Sequence, residues 1–180
     1  MKKQELLQKI ELLFYSKTFK EVSMQDIANE LGMKKASVYY HFPSKEQMVL
    51  EVLDYSFNNY LTFINILINK GEENINNKQN LVKLISDFIS YPETSKNLFS
   101  IINQNGYCEN EEILKIIEAK QKIIFENISK KFTELLGFSN EKTFLFMSLM
   151  HDIWRKKCIY GNCEIKVEKL ISEIYDLFFN

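Results

Sequence analysis

Glycine and proline are scarce in this chain, with five Gly and two Pro among 180 residues. A β-sandwich or barrel needs many tight turns, and this supply is too small for one. Cysteine is sparse and odd in number, at three. After Met1-Lys2-Lys3 the run Gln-Glu-Leu-Leu-Gln-Lys-Ile-Glu breaks any apolar leader segment, so neither secretion nor a disulfide framework is expected. No stretch approaches the ~18 apolar residues of a membrane span. An excess of one charge is missing too: 23 Lys+Arg against 24 Asp+Glu leave a net charge of −1. That balance excludes a wholly basic coating protein and a highly charged disordered chain. A soluble, cytoplasmic protein is expected.

Catalytic signals are equally thin. The two His leave little for acid–base work. The sequence offers no Gly-rich phosphate loop, nucleophile elbow or recognisable metal motif. Cys158 and Cys163, with His151 upstream, lack any familiar zinc spacing, so no metal and no cofactor are expected. An enzyme is the weaker reading. Arginine is nearly absent, at 1 against 22 Lys, a bias that fits an AT-rich genome better than any chemistry.

What is present is helical periodicity. Apolar residues make up 46% of the chain and recur at three- and four-residue steps. Leu6, Leu7, Ile10, Leu13 and Phe14 form one stripe, and Leu81, Leu84, Ile85 and Phe88 another. The pattern predicts an all-α fold of about nine helices, over 4–17, 24–31, 35–42, 45–69, 79–91, 93–105, 110–136, 140–160 and 165–179. A boundary near residue 46 separates an N-terminal three-helix domain, 1–46, from a larger helical domain, 47–180. The first 50 residues carry eight Lys against six Asp/Glu; the remaining 130 carry 15 basic against 18 acidic residues.

Residues 22–48 hold the densest pattern. Ser23 and Asp26 form a capping box, and Val22 can staple against Ile27. A short helix then turns Ile27, Ala28 and Leu31 inward, and Gly32 supplies the left-handed stop. A second short helix begins within about three residues, the helix–turn–helix arrangement whose second helix can enter a DNA major groove. At ~100° per residue, an inward Val38 brings Phe42 to about 40° away, while Ala36 and Tyr40 point almost opposite, flanked by Ser37 and Tyr39. A small residue at Ala36 lets the helix sit deep in a groove. Lys34 and Lys35 stand at its entrance and Lys45 beyond its exit, with no Asp or Glu between Leu31 and Lys45. That interval favours a polyanion. Ser44 and Gln47 repeat the capping pattern, starting a fourth helix whose free N–H groups suit a phosphate. His41 either touches a phosphate or packs against the first helix. A bland helical corner shares the Ser-x-x-Asp box and the glycine; it does not share the acid-free basic interval and the outward Tyr pair.

With Ile27-Ala28, Leu31-Gly32-Met33, Ala36-Ser37-Val38-Tyr39-Tyr40-His41-Phe42 and Lys45-Glu46 in place, the segment from about 5 to 55 resembles the DNA-binding domain of the TetR family of transcriptional repressors. DNA contacts are also expected at Ser23, Gln25 and Lys34. The resemblance implies that Lys35, Ala36 and Ser37 face bases or nearby backbone, and that Tyr39, Tyr40, His41 and Lys45 hold phosphates. One departure is Lys34, which stands where the family often has a Ser cap; a cap is worth ~1 kcal/mol. The resemblance covers under a third of the chain.

Beyond it, Phe144-Leu-Phe-Met-Ser-Leu-Met150 is apolar nearly all round, and the last helix carries a stripe too wide for one neighbour. Two such helices from each of two subunits make a two-fold four-helix interface, expected to include Phe144, Ile171, Ile174, Tyr175 and Phe178. The alternative is that both helices only close a monomer core. The TetR resemblance also implies a dimer through the last two helices. A pocket for a small apolar or aromatic effector is assigned to Tyr60, Phe63, Asn103, Tyr107, Phe125, Met147, His151 and Trp154, with plain core as the competing reading. The expected partners are therefore double-stranded operator DNA, a second copy and an effector, with no membrane. A homodimeric repressor released by a small molecule is the functional expectation, a helical adaptor its rival, and a regulator without any effector the third reading. In the family's mechanism the fourth helix belongs to both parts, and an effector tilts it.

Overall fold

The structure is a computed structural model that describes residues 2–14, 17–72, 78–89, 110–160 and 167–179. For residues 70–72, 88–89, 151, 154–160, 167–168 and 179 it describes the backbone alone. Among the described residues the chain forms eight helices and no strand: α1 (Lys3–Leu13), α2 (Met24–Leu31), α3 (Lys35–His41), α4 (Lys45–Glu72), α5 (Lys78–Ile89), α6 (Glu111–Leu136), α7 (Asn140–Tyr160) and α8 (Val167–Phe179). The all-α expectation holds. The helix expected over 93–105 lies outside the described residues.

The chain divides into two compact units, one of residues 1–60 and 92–121, the other of 61–91 and 122–180. In the first, α1 supplies Leu6, Leu7, Ile10 and the C-cap Phe14, α2 supplies Ile27, Ala28 and Leu31, and α3 supplies Val38, followed by Phe42. Met48, Val49, Val52 and Leu53 of α4 complete this core, and all of these side chains are buried. Ala28, with no bulk beyond Cβ, allows the close approach of α2 to its neighbours α1 and α3.

The first helix is shorter than its stripe suggests. It ends at Leu13 rather than near 17, with Phe14 as C-cap. A little beyond, the Thr18 backbone N–H and hydroxyl both donate to the Glu21 carboxylate, at 2.7 and 2.9 Å. The Val22 and Glu21 N–H groups return to the Thr18 carbonyl. This self-contained turn spends the polar groups that a longer helix would need. Its hydrogen bonds hold the Glu21 carboxyl below the usual carboxylate range.

In the second unit α5 packs against α8 and α7. Leu81, Leu84 and Ile85 of α5 and Ile171 and Ile174 of α8 are buried there. Phe146 of α7 is fully covered and sits 6.0 Å from Phe132, 5.9 Å from Phe138 and 5.4 Å from Phe178, ring centre to ring centre. Lys78 of α5 pairs with Asp176 of α8 and lies 5.3 Å from the Tyr175 ring centre.

Candidate nucleic-acid interface

The helix–turn–helix is built by local chemistry. Ser23, extended at φ −95° and ψ 161°, accepts the Asp26 N–H on its hydroxyl at 3.1 Å, while the Asp26 carboxylate accepts the Ser23 N–H at 2.8 Å. These bonds satisfy two orphan donors of the first turn. The Ser23 hydroxyl and N–H hold the Asp26 carboxyl below its usual range. Gly32 adopts φ 63° and ψ 32°, the left-handed geometry that a side chain resists, and the Met33 N–H closes the turn on the Ala28 carbonyl at 2.9 Å.

Three residues, Gly32 to Lys34, separate α2 from α3. Its N-cap, Lys34, makes no side-chain cap, so the helix starts on backbone bonds alone: Ser37 N–H to the Lys34 carbonyl at 2.8 Å and Val38 N–H to the same oxygen at 3.2 Å. Val38 and Phe42 anchor its inner face. Its outer face is open: Lys34, Lys35 and Ala36 are exposed, Tyr39 is 44% exposed and Tyr40 is 86% exposed. A phenol left in water to that extent gains nothing from the protein's own core. Ser37 is half-buried on the same side.

The flanks also agree with an anionic partner. The Ser44 hydroxyl accepts the Gln47 N–H at 3.1 Å, capping the first turn of α4, and Lys45 lies in that turn. The Lys45 ammonium sits 4.1 Å from the centre of the Phe19 ring, which fixes where its charge is presented. His41 is half-buried and meets Tyr40 edge-on at 5.5 Å. Of the α2 residues expected here, Gln25 is exposed and its amide donates to the Asn29 side chain at 3.0 Å. Ser23 has its hydroxyl engaged in the cap described above.

One residue of this region escaped the sequence reading. The Lys3 ammonium donates to the His41 carbonyl at 2.9 Å, pairs with Glu51 at 2.8 Å and lies 3.9 Å from the Phe42 ring centre. No local pattern signals a contact spanning 38 positions.

The residues expected to line an effector pocket are scattered. Tyr60 and Phe63 are half-buried, Met147 is buried, and Phe125 is half-buried against Phe144, 6.0 Å away. Asn103 and Tyr107 lie outside the described residues, as do the side chains of His151 and Trp154. In the second unit Ile64, Leu67, Ile68, Leu84 and Phe132 line a narrow gap too tight for a water-sized occupant, with no polar group. None of the expected pocket residues is among its walls.

Of the residues expected at a dimer interface, Ile171 and Ile174 are taken up by the chain's own core. They are 0% and 4% exposed within a single chain, because one face of α8 is taken by the unit's own core. Phe178 is half-buried and stacks on Phe138 at 6.0 Å. Phe144 is 57% exposed, as an interface requires, and Tyr175 is half-buried. Among the described residues of this unit, exposed apolar side chains include Phe144, Leu145 and Leu149 of α7, Leu177 of α8, Ile66 of α4 and Ile123 of α6.

Residues 6–52 match the family model of the bacterial regulatory proteins of the tetR family. Over 142 residues the chain is 22% identical to the nucleoid occlusion factor SlmA of Shewanella sediminis, covering 79% of this chain and 68% of that protein. Over 63 residues it is 41% identical to the HTH-type transcriptional repressor KstR2 of Mycolicibacterium smegmatis, covering 33% of this chain and 31% of that one. Among solved structures, a TetR-family transcriptional regulator from Mesorhizobium loti superposes with a TM-score of 0.78 at 19% identity, over 99% of this chain and 97% of that one. AibR, solved in complex with isovaleryl coenzyme A and operator DNA, gives 0.63 at 16% identity, over 97% and 96% of the two chains. Residues 6–52 thus carry the DNA-binding helix–turn–helix domain of the tetR family of bacterial regulatory proteins, and the chain shares its fold with solved TetR-family transcriptional regulators.

Proposed function

We propose that the chain is a homodimeric repressor, binding rather than catalytic, that holds a palindromic operator and lets it go when a small molecule binds. The observation that carries this reading is the outer face of α3, where Tyr40 and Ala36 stand open in a stretch free of acidic residues from Leu31 to Lys45. Residues 1–46 act as the reading head. Lys35, Ala36 and Ser37 face the bases, while Lys34, Tyr39, Tyr40, His41 and Lys45 neutralise phosphates, with Gln25 at the edge of the contact. Ser23 serves through its cap. Acting on operator DNA places the protein in the cytoplasm.

Residues 47–180 bring two heads together. The exposed row Phe144, Leu145 and Leu149, with Leu177, would cost ~25 cal/mol for each Å² of apolar surface left in water, and pairing with a second copy removes that cost. A two-fold axis through this surface presents two heads to half-sites about 34–36 Å apart. The effector is apolar in at least one part. The gap between α4 and α5 offers only aliphatic and aromatic walls, and its narrowness means that an occupant must part those helices. α4 runs unbroken from Lys45, at the DNA end, to Ile64, Leu67 and Ile68 at that gap. AibR, of similar fold, was captured with an acyl coenzyme A and with operator DNA, which supports an effector of mixed apolar character here.

The test is selection from random duplex DNA by the full-length protein, followed by sequencing. Enrichment of an inverted repeat with half-sites one helical turn apart, or a multiple of it, is the expected result. Recovery no different from the input pool would overturn the reading, and enrichment of an unrepeated site would overturn the dimer.

A further inference from the structure

α3 is held unevenly. Its N-terminal end has no side-chain cap, since Lys34 stands at the N-cap position. At its C-terminal end, Pro43 has no N–H to offer to the last carbonyls. Phe42 leaves the helix at φ −137° and ψ 100°, the extended form that a following proline imposes. A seven-residue helix is marginal by itself, and beyond the buried anchors Val38 and Phe42 its C-terminal end depends on what reaches it. What reaches it is Lys3, from the first turn of α1. The ammonium takes the His41 carbonyl at 2.9 Å, is tied to Glu51 of α4 at 2.8 Å, and rests over the Phe42 ring at 3.9 Å. One cation thus joins α1, the negative end of α3 and α4. A positive charge at a helix C-terminus is where the peptide dipoles favour it.

We propose that Lys3 is a positioning residue for DNA recognition, fixing the C-terminal end of α3 without touching DNA. The inference rests on the DNA-binding reading above. Its three contacts engage the ammonium within the chain although the side chain stays 42% exposed, so its charge sets the pose of Tyr39, Tyr40 and His41 in place of neutralising a phosphate. Loss of Lys3 lowers the fraction of molecules whose α3 is ready to bind, and the apparent affinity falls with that fraction.

Lys3→Gln, Lys3→Arg and the unaltered protein are compared in two measurements. The first is affinity, across salt, for the duplex that the unaltered protein enriches from a random pool. Lys3→Gln should weaken binding about two- to fivefold per reading head with an unchanged salt slope, and Lys3→Arg, which can reach both oxygens, should restore it. A slope reduced by about one for each head would make Lys3 a phosphate contact and overturn the proposal. Unchanged affinity would overturn it as well. The second is amide hydrogen exchange without DNA. Lys3→Gln should speed exchange at the Val38 and Phe42 amides while leaving the α2 amides as they were. Equal protection in both proteins would contradict the proposal. Because this readout needs no DNA, it judges Lys3 even if the unaltered protein enriches nothing, a result that would count against the DNA-binding reading instead.

Discussion

The reading head and the second unit are both helical, yet they are finished to different degrees. The head buries Phe14, Ile27, Val38, Phe42 and Leu53, and the outer face of its α3 leaves lysine and phenol exposed. The second unit covers Phe146, Ile85 and Ile171 but leaves Phe144, Leu145, Leu149 and Leu177 in water. Exposed polar chemistry facing a polyanion is a functional surface as it stands. Exposed aliphatic surface of this kind is where the proposed dimer would pair. On that reading the head needs no second copy to be complete, and the second unit does.

The contrast can be broken most forcefully within α3. Phe42→Ala empties a fully buried site, and a loss of about 3–5 kcal/mol is expected in urea unfolding. Two positions earlier, Tyr40→Ala should leave stability within about 0.5 kcal/mol and weaken binding to the selected duplex. Equal destabilisation by the two variants would mean that Tyr40 is packed, and the groove-facing surface would be lost with it. In the second unit, Leu145→Asp should turn dimers into monomers in sedimentation velocity while the circular dichroism spectrum is retained. Persistent dimers would move the interface off α7.

Much of the head was legible because its signals are local. Ser23 with Asp26, Gly32, and Ser44 with Gln47 each act within four residues, and the inward Val38 and Phe42 and outward Ala36 and Tyr40 follow from helical geometry alone. Contacts across the chain were not legible. Lys3 reads as an ordinary N-terminal lysine until folding brings His41 and Glu51 beside it. Ile171 and Ile174 read equally well as core or interface, because a broad apolar stripe does not say which side its partner occupies. In the structure one side is filled from within the chain. The helix expected to reach residue 17 failed for another reason: the Thr18–Glu21 turn competes for the same backbone, and its apolar spacing gives no warning.

A finer test of the local signals is Lys34→Ser, which would supply the missing cap of α3. A gain of ~1 kcal/mol in urea unfolding is expected; no gain would show that the helix is already held from its far end. The smallest effect concerns Glu11 of α1, buried and accepting the Ser56 hydroxyl of α4. Burial pushes its carboxyl above the usual value of 4.5, and the Ser56 hydrogen bond pulls the other way. A carboxyl raised in the folded state binds its proton more tightly there, so the folded chain loses stability as pH rises through that raised value. Glu11→Gln keeps the acceptor and removes the titration. Its melting temperature should exceed that of the unaltered protein by more at pH 7 than at pH 4. A pH-independent difference would show that burial does not govern Glu11.

The acid-free face of α3 and the start of α4 are expected to lie against phosphates. The most direct measurement is fluorescence anisotropy with the selected duplex between 50 and 200 mM salt, for the unaltered protein and Lys45→Ala. A steep fall of affinity with salt is expected, on the order of 0.9 in the logarithmic slope per phosphate. For Lys45→Ala that slope should be smaller by about one for each head. A flat salt dependence, or a slope that Lys45→Ala leaves untouched, would contradict that placement.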